Sequence, residues 1–205
     1  MSEEFDKGYW EDRYRGRSGP HGMEPNPQLV AEIGDLTPGT ALDAGCGQGT
    51  ETIWLASHGW QVTAVDIAAT ALRHAREHAE SLGADITDRI EWVEADMTGW
   101  TPTEEHFDLV CTHYAHPAGP RDALFGRLAG AVAPGGTLLI VGHHPSGPQH
   151  ASTPEAYFTA EQIATDLDAD RWDVAVAETR YRTVTTPHSD EIIIHDAVLR
   201  AHKRP

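Results

Sequence analysis

The 205-residue chain is 40% hydrophobic and 23% charged, the balance of a globular protein with apolar surface enough for one core, so disorder and coiled coil are excluded. Lys+Arg of 15 against Asp+Glu of 32 leaves a net charge of −17, which repels polyanions, and no nucleic-acid partner is expected. Two cysteines, Cys46 and Cys111, are too few for a disulfide framework and do not form a Cys-x-x-Cys pair.

No run approaches the roughly 18 to 20 uninterrupted apolar residues that span a bilayer. The opening Met-Ser-Glu-Glu-Phe-Asp lacks a basic-then-apolar leader, so a cytoplasmic protein without a membrane segment is expected. In chain order, Phe5 to Tyr14 reads as a helix with Tyr9, Trp10 and Tyr14 on an aromatic face, either packed on the body or covering a ligand. Gly16 to Pro27 is a loop rich in Gly, Pro and Arg. Ala41 to Ala44 is a short strand that enters Gly45-Cys46-Gly47-Gln48-Gly49, and Glu51 to Ser57 is a helix closed by Gly59.

Trp60 to Val65 alternates as a second strand ending at Asp66. The next helix puts Ala71, Leu72, Ala75, Ala79 and Leu82 on one face and stops at Gly83. Ile90 to Val93 is a third strand leading to Asp96, and Phe107 to Cys111 a fourth that runs into Thr112-His113-Tyr114-Ala115-His116-Pro117. A stripe of Leu124, Phe125, Leu128, Ala129 and Val132 marks a helix broken by Pro134-Gly135-Gly136, ahead of a strand over Leu138 to Val141. Thr159-Ala160-Glu161-Gln162 is a capping box opening a short helix. Trp172 to Tyr181 and Glu191 to Ala201 are strands joined by a polar, proline-bearing turn, so they pair antiparallel. The alternation predicts an α/β fold, a doubly wound, Rossmann-like seven-stranded sheet, mostly parallel with an antiparallel C-terminal hairpin.

In such a sheet the ligand crevice lies at the carboxyl ends of the strands, where strand order reverses. Glycines at 45, 47 and 49 let a ligand lie against bare backbone beside a helix N-terminus. The spacing is not G-x-G-x-x-G, since Thr50 stands where a dinucleotide fold wants Gly or Ala. Asp43 would repel a pyrophosphate and attract an ammonium or sulfonium. Asp66 is placed to hold ribose hydroxyls, and Asp96 to meet an adenine amino group. Each aspartate alone is equally a solvated strand end or a helix cap.

Leu42-Asp43-Ala44-Gly45-Cys46-Gly47-Gln48-Gly49, with Val65-Asp66 and Ala95-Asp96-Met97, resembles the first three motifs of class I S-adenosylmethionine-dependent methyltransferases. The opening Tyr9-Trp10-Glu11-Asp12-Arg13-Tyr14 is similar to the tellurite-resistance and thiopurine branch, whose N-terminal segment covers cofactor and substrate. The resemblance implies a single domain: a helical lid over residues 1–37, a cofactor-binding core over 38–150, and a C-terminal helix and hairpin over 151–205. It implies S-adenosyl-L-methionine as cofactor, held by Asp43, Gly45, Cys46, Gly47, Gly49, Asp66, Ile67, Asp96, Met97, Thr112 and His113, with Trp10 and Tyr14 from the lid. Tyr9, Tyr114 and His143 would border a substrate pocket.

The implied activity is methyl transfer to a small-molecule S, O, N or metalloid acceptor. The other classes are a non-catalytic cofactor sensor and a nicotinamide oxidoreductase, the latter lacking a Tyr-x-x-x-Lys pair. His113 and His116 follow the fourth strand while His143 and His144 follow the fifth, so the four are expected on one rim. They line a substrate pocket, supply a general base (His144 or His116), or bind a metal. No metal site is assigned, because consecutive His143 and His144 on extended backbone point opposite ways. Oligomeric state is not readable from these residues.

Overall fold

The computed structural model describes residues 4–16, 24–148, 156–185 and 191–205. Seven helices and seven strands alternate in these segments: α1 (Lys7–Arg15), α2 (Pro27–Ile33), β1 (Thr40–Ala44), α3 (Thr50–Ser57), β2 (Gln61–Asp66), α4 (Ala69–Leu82), α5 (Ala84–Thr87), β3 (Ile90–Glu94), β4 (Phe107–His113), α6 (Arg121–Ala131), β5 (Val132–His143), α7 (Ala160–Asp166), β6 (Trp172–Thr185) and β7 (Glu191–Lys203). They build one sheet of order β3-β2-β1-β4-β5-β7-β6. The first five strands are parallel, and β7 is antiparallel to both neighbours. This is the expected doubly wound sheet with its C-terminal hairpin; the turn expected between β6 and β7 lies outside the described residues.

Alternation along the strands divides the core between two faces. Leu138 and Ile140 of β5, with Leu199 of β7, pack against Leu124, Phe125 and Leu128 of α6. Leu139, Val141 and Val198 join Leu29 and Ile33 of α2 and Leu55 of α3 on the opposite face. Strand order reverses between β1 and β4, so their carboxyl ends open the crevice that this fold provides for ligands.

Three elements differ from the sequence expectation. Helix α2 begins at Pro27, the last residue of the stretch read as loop, and runs through residues for which the sequence predicts no element; it is started by Asn26, whose side chain accepts from the Gln28 amide at 2.9 Å, and by a proline in its first turn. Helix α5 is one added turn after Gly83. Val132 to Gly136 is strand rather than helix end: Phe107 pairs with Val132 and Leu109 with Thr137, so Pro134-Gly135-Gly136 is accommodated in an irregular stretch of β5.

Candidate active site

The glycine loop is fixed by backbone geometry. Gly45, Gly47 and Gly49 all have positive φ, at 78°, 53° and 78°. The Gly45 and Cys46 amides both donate to the Val65 carbonyl, at 2.8 and 3.0 Å, which ties the loop to the end of β2. A Cβ on Gly45 would stand 2.9 Å from the Ala115 methyl, and one on Gly47 2.9 Å from the Tyr14 hydroxyl. One side of the loop is therefore closed by the segment after β4 and another by α1.

Between them lies a cavity of about 240 Å³, lined by Gly45, Asp66, Ile67, Met97, Tyr114 and Ala115, by His113, His116 and His143, and by Trp10, Arg13 and Tyr14 of α1. Asp66 is almost wholly buried there. Its Oδ2 accepts from the Gly47 amide at 2.8 Å and its Oδ1 from the Ala68 amide at 2.9 Å, with the Ile67 amide beside them, and the carboxylate still has capacity to accept from a ligand hydroxyl. Burial pushes this carboxyl up, and the amides oppose the shift. The His113 ring is buried, and neither nitrogen has a partner among the described residues. The ring contributes to the cavity wall, but its nitrogens are shut off from it, and one of them lies within 4.8 Å of Asp43 and Cys111.

Asp43 is elsewhere. It stands on the β1 face that carries Ala41 rather than that of Leu42 and Ala44, pairs in register with Cys111 and lies under α3, where the Thr52 hydroxyl donates to its Oδ2 at 2.5 Å. It is 1% exposed and is not among the cavity-lining residues, contrary to the expectation of a direct ligand contact. Desolvation, with the charge of Glu51 adding to it, pushes its carboxyl up to about 7. Asp43, Cys111 and His113 offer ligating atoms within 4.8 Å of one another. With the Asp43 carboxyl hydrogen-bonded to Thr52 and burial pushing the Cys111 thiol well up, the trio reads as the polar centre of the switch point rather than a metal centre.

The other expected site residues divide. Cys46 packs with Ala64 and Leu72 behind the loop, and burial keeps its proton on. A Cβ on Gly49 would meet Ala75 and Trp92 at 2.8 Å, so this glycine serves the packing of α3 against α4 and β3. Thr112 donates to the Ala44 carbonyl at 2.8 Å, bracing β4 on β1. Asp96 is exposed and accepts from the Thr98 amide in a local turn. Tyr9 stacks edge-on to Phe5 and Trp10, one layer behind the cavity. His144 turns away from His143, as the parity of extended backbone requires; its Nδ1 lies 2.8 Å from the Ser146 hydroxyl, which also reaches His195 at 2.8 Å. A base assigned to His144 has no place in this cavity.

His116 does line the cavity, stacked between Trp10 (6.5 Å between centroids, 8° between planes) and His143 (5.7 Å, 15°). Burial, then the neighbouring His143 and Arg13, hold its imidazole down to about 4. It is neutral near pH 7 and a weak base.

Sequence reasoning missed the support of Tyr114. This residue holds a left-handed φ of 53°, and its hydroxyl donates to Asp196 and accepts from Arg182 at 2.9 Å and Asn26 at 3.2 Å. Asp196 was discoverable, since a lone carboxylate inside the apolar stretch Ile192 to Leu199 asks for a buried partner.

A family model described as a methyltransferase domain matches residues 41–136, the segment that carries the glycine loop, Asp66, Met97 and the end of β4. A solved structure described by the conversion of a disulfide bond into a thioacetal group during echinomycin biosynthesis superposes with a TM-score of 0.70 at 26% identity, over 97% of this chain and 92% of that one. These matches support a class I S-adenosylmethionine-dependent methyltransferase.

Among curated methyltransferases, trans-aconitate 2-methyltransferase of Paracidovorax citrulli is 34% identical over 123 residues, covering 57% of this chain and 43% of that protein. Ribosomal RNA small subunit methyltransferase C of Alcanivorax borkumensis is 34% identical over 110 residues, covering 51% and 32%. The chain spans less than half the length of either relative. The cofactor of the class I methyltransferases is S-adenosylmethionine, and the cavity suits it: a buried acidic group, bare glycine backbone, and Met97 and Ile67 as apolar walls. Among the described residues, no helix is long and apolar enough to cross a membrane.

Proposed function

We propose that this chain transfers a methyl group from S-adenosylmethionine to a small-molecule acceptor. The observation that carries the reading is the convergence of Gly45, Asp66, Ile67 and Met97 on one cavity roofed by α1. Asp66 would hold ribose hydroxyls through the capacity its amide partners leave open, while keeping the loop in place through Gly47. Ile67 and Met97 would flank the base, and the His113 ring would add to the wall. S-adenosylmethionine supplies a methyl carried on a sulfonium: the acceptor's lone pair forms the new bond as the carbon–sulfur bond breaks, and that pair stays on sulfur.

What remains for the protein is alignment and exclusion of water. Trp10, Tyr14, Tyr114, His116 and His143 wall the cavity with rings. With His116 neutral and His144 outside, the cavity favours an acceptor already deprotonated at the reacting atom. The net charge of −17 favours a small acceptor over a nucleic acid. A cytoplasmic, small-molecule enzyme is the reading that these features support.

The test is calorimetric titration with S-adenosylmethionine, S-adenosylhomocysteine and NADH. The two sulfur nucleosides are expected to bind and NADH to fail. Asp66→Asn is expected to weaken nucleoside binding by about 2 kcal/mol, the loss of a charge-assisted hydrogen bond. Binding of NADH alone, or unchanged affinity in Asp66→Asn, would reject the reading. Turnover of a methyl acceptor separates an enzyme from a protein that only senses the nucleoside.

A further inference from the structure

Arg13 lines the cavity from α1, with its guanidinium 5.8 Å above the Trp10 ring. Among the described residues it makes no ion pair and no hydrogen bond. The acids around it are engaged elsewhere: Asp12 holds Arg15 at 2.7 Å, Glu11 accepts from the Thr70 amide at 3.4 Å, and Asp66 takes the Gly47 and Ala68 amides. In a chain of net charge −17, an uncommitted guanidinium in the ligand cleft is a marked local departure. A guanidinium over an indole face is attracted to the ring while its hydrogen-bond donors stay open.

A second cavity, of about 420 Å³, meets the first at Ala115 and His116. Its walls are largely apolar, with Phe5, Pro117, Pro120 and Phe158 among them, and among the described residues Glu4 is the one carboxylate that lines it, its charge acting on His116. Arg121 lines it too, but its Nη1 is spent on the Tyr157 carbonyl at 3.0 Å and its Nη2 on Asp122 at 3.2 Å.

We infer that the methyl acceptor is a small organic anion, whose charged group pairs with Arg13 while its apolar body fills the cavity beyond His116. This rests on the methyltransferase reading and deepens it. A planar guanidinium recognises carboxylates and related oxyanions through paired N–H donors, and the pairing strengthens where rings exclude water. An anionic acceptor also brings its reacting atom without a proton to remove, which fits a cavity whose imidazole at 116 stays neutral. The charge sits on the covering helix, so the acceptor would help to close the site that it enters.

The test is calorimetry on protein saturated with S-adenosylhomocysteine, using matched probes: benzoate against benzamide, phenylacetate against phenylacetamide, fumarate against fumaramide. At least one anion is expected to bind tenfold or more tightly than its amide. Arg13→Gln is expected to abolish that preference and Arg13→Lys to retain part of it, with S-adenosylhomocysteine affinity within threefold in both. If no anion outbinds its amide, or the preference survives Arg13→Gln, the inference is overturned. A tenfold loss of S-adenosylhomocysteine affinity in Arg13→Gln also overturns it, because the guanidinium would then hold the methionine carboxylate. If the wild-type protein does not bind S-adenosylhomocysteine, the methyltransferase reading itself falls, and this inference with it.

Discussion

The hydroxyl of Tyr114 donates to Asp196 at 2.6 Å, joining the segment after β4 to the middle of β7 across the rim of the cavity. Asp196 is fully buried and also accepts from Arg182 at 2.8 Å and Gln28 at 3.2 Å. A residue with a side chain and φ of 53° persists only when its surroundings hold it there, and this hydrogen bond is one of the restraints. Removing the carboxylate leaves Arg182 without its anion, whereas removing the Tyr114 hydroxyl leaves that pair intact. Asp196→Asn is therefore expected to cost about 3 kcal/mol in urea unfolding, and Tyr114→Phe about 1 kcal/mol. Equal losses in the two variants would show that the ion pair is not the anchor.

Asp43 predicts a pH dependence of stability. Its carboxyl is pushed up to about 7 in the fold, chiefly by burial, against about 3.9 in an unfolded chain. Between those values the native state keeps a proton that the unfolded state releases, so this residue's contribution falls as pH rises from about 4 to 7 and is level above. Asp43→Asn does not titrate. Relative to wild type, the variant is expected to gain roughly 4 kcal/mol between pH 4 and pH 8. Denaturation at the two pH values reads it directly, and a stability difference independent of pH would mean that Asp43 is ionised in its buried position.

His116 has the opposite sign. Burial, His143 and Arg13 hold it down to about 4, below the roughly 6.5 of a free imidazole. As pH falls from 6.5 to 4 the unfolded chain takes up a proton that the native site refuses, and stability is lost over that window. In a ring-proton NMR titration His116 is expected to show no inflection between pH 5.5 and 8. His116→Gln should remove this share of the acid sensitivity. An inflection near 6.5 would mean that the stack of Trp10, His116 and His143 opens in solution.

The sheet was legible because its strands and helices differ in period, and the cleft because glycines and aspartates collect at strand ends. The direction of Asp43 was not legible. Every residue from Ala41 to Ala44 is buried, so the sequence shows no alternation from which to tell the face over α3 from the face that meets the crevice. Parity did separate His143 from His144, where one neighbour faces rings and the other Ser146. Arg182 and Asp196 were hidden for another reason: they lie on β6 and β7, far along the chain from the loop that they support, and only the antiparallel pairing brings them to Tyr114. Pro134-Gly135-Gly136 reads as a helix stop, but α6 has already ended at Ala131 and the strand has begun at Val132, because pairing with Phe107 outweighs local propensity.

Helix α1 decides access to the cleft. It has nine residues and none of them is buried. Its moorings are the Asp6 cap on the Tyr9 amide, Glu11 on the Thr70 amide, an ion pair between Lys7 and Glu94 whose partners are about half exposed, and the rings of Trp10 and Tyr14 against His116 and the glycine loop. A helix this short is marginal by itself, so its order depends on what its aromatic face covers. In hydrogen exchange on the free protein, the α1 amides are expected to exchange far faster than those of β1 or β4. Saturation with S-adenosylhomocysteine should slow α1 at least tenfold, since the bound nucleoside would give Trp10 and Tyr14 a surface to pack on. Slowing confined to the glycine loop would instead leave α1 a solvated appendage with no part in enclosing the cavity.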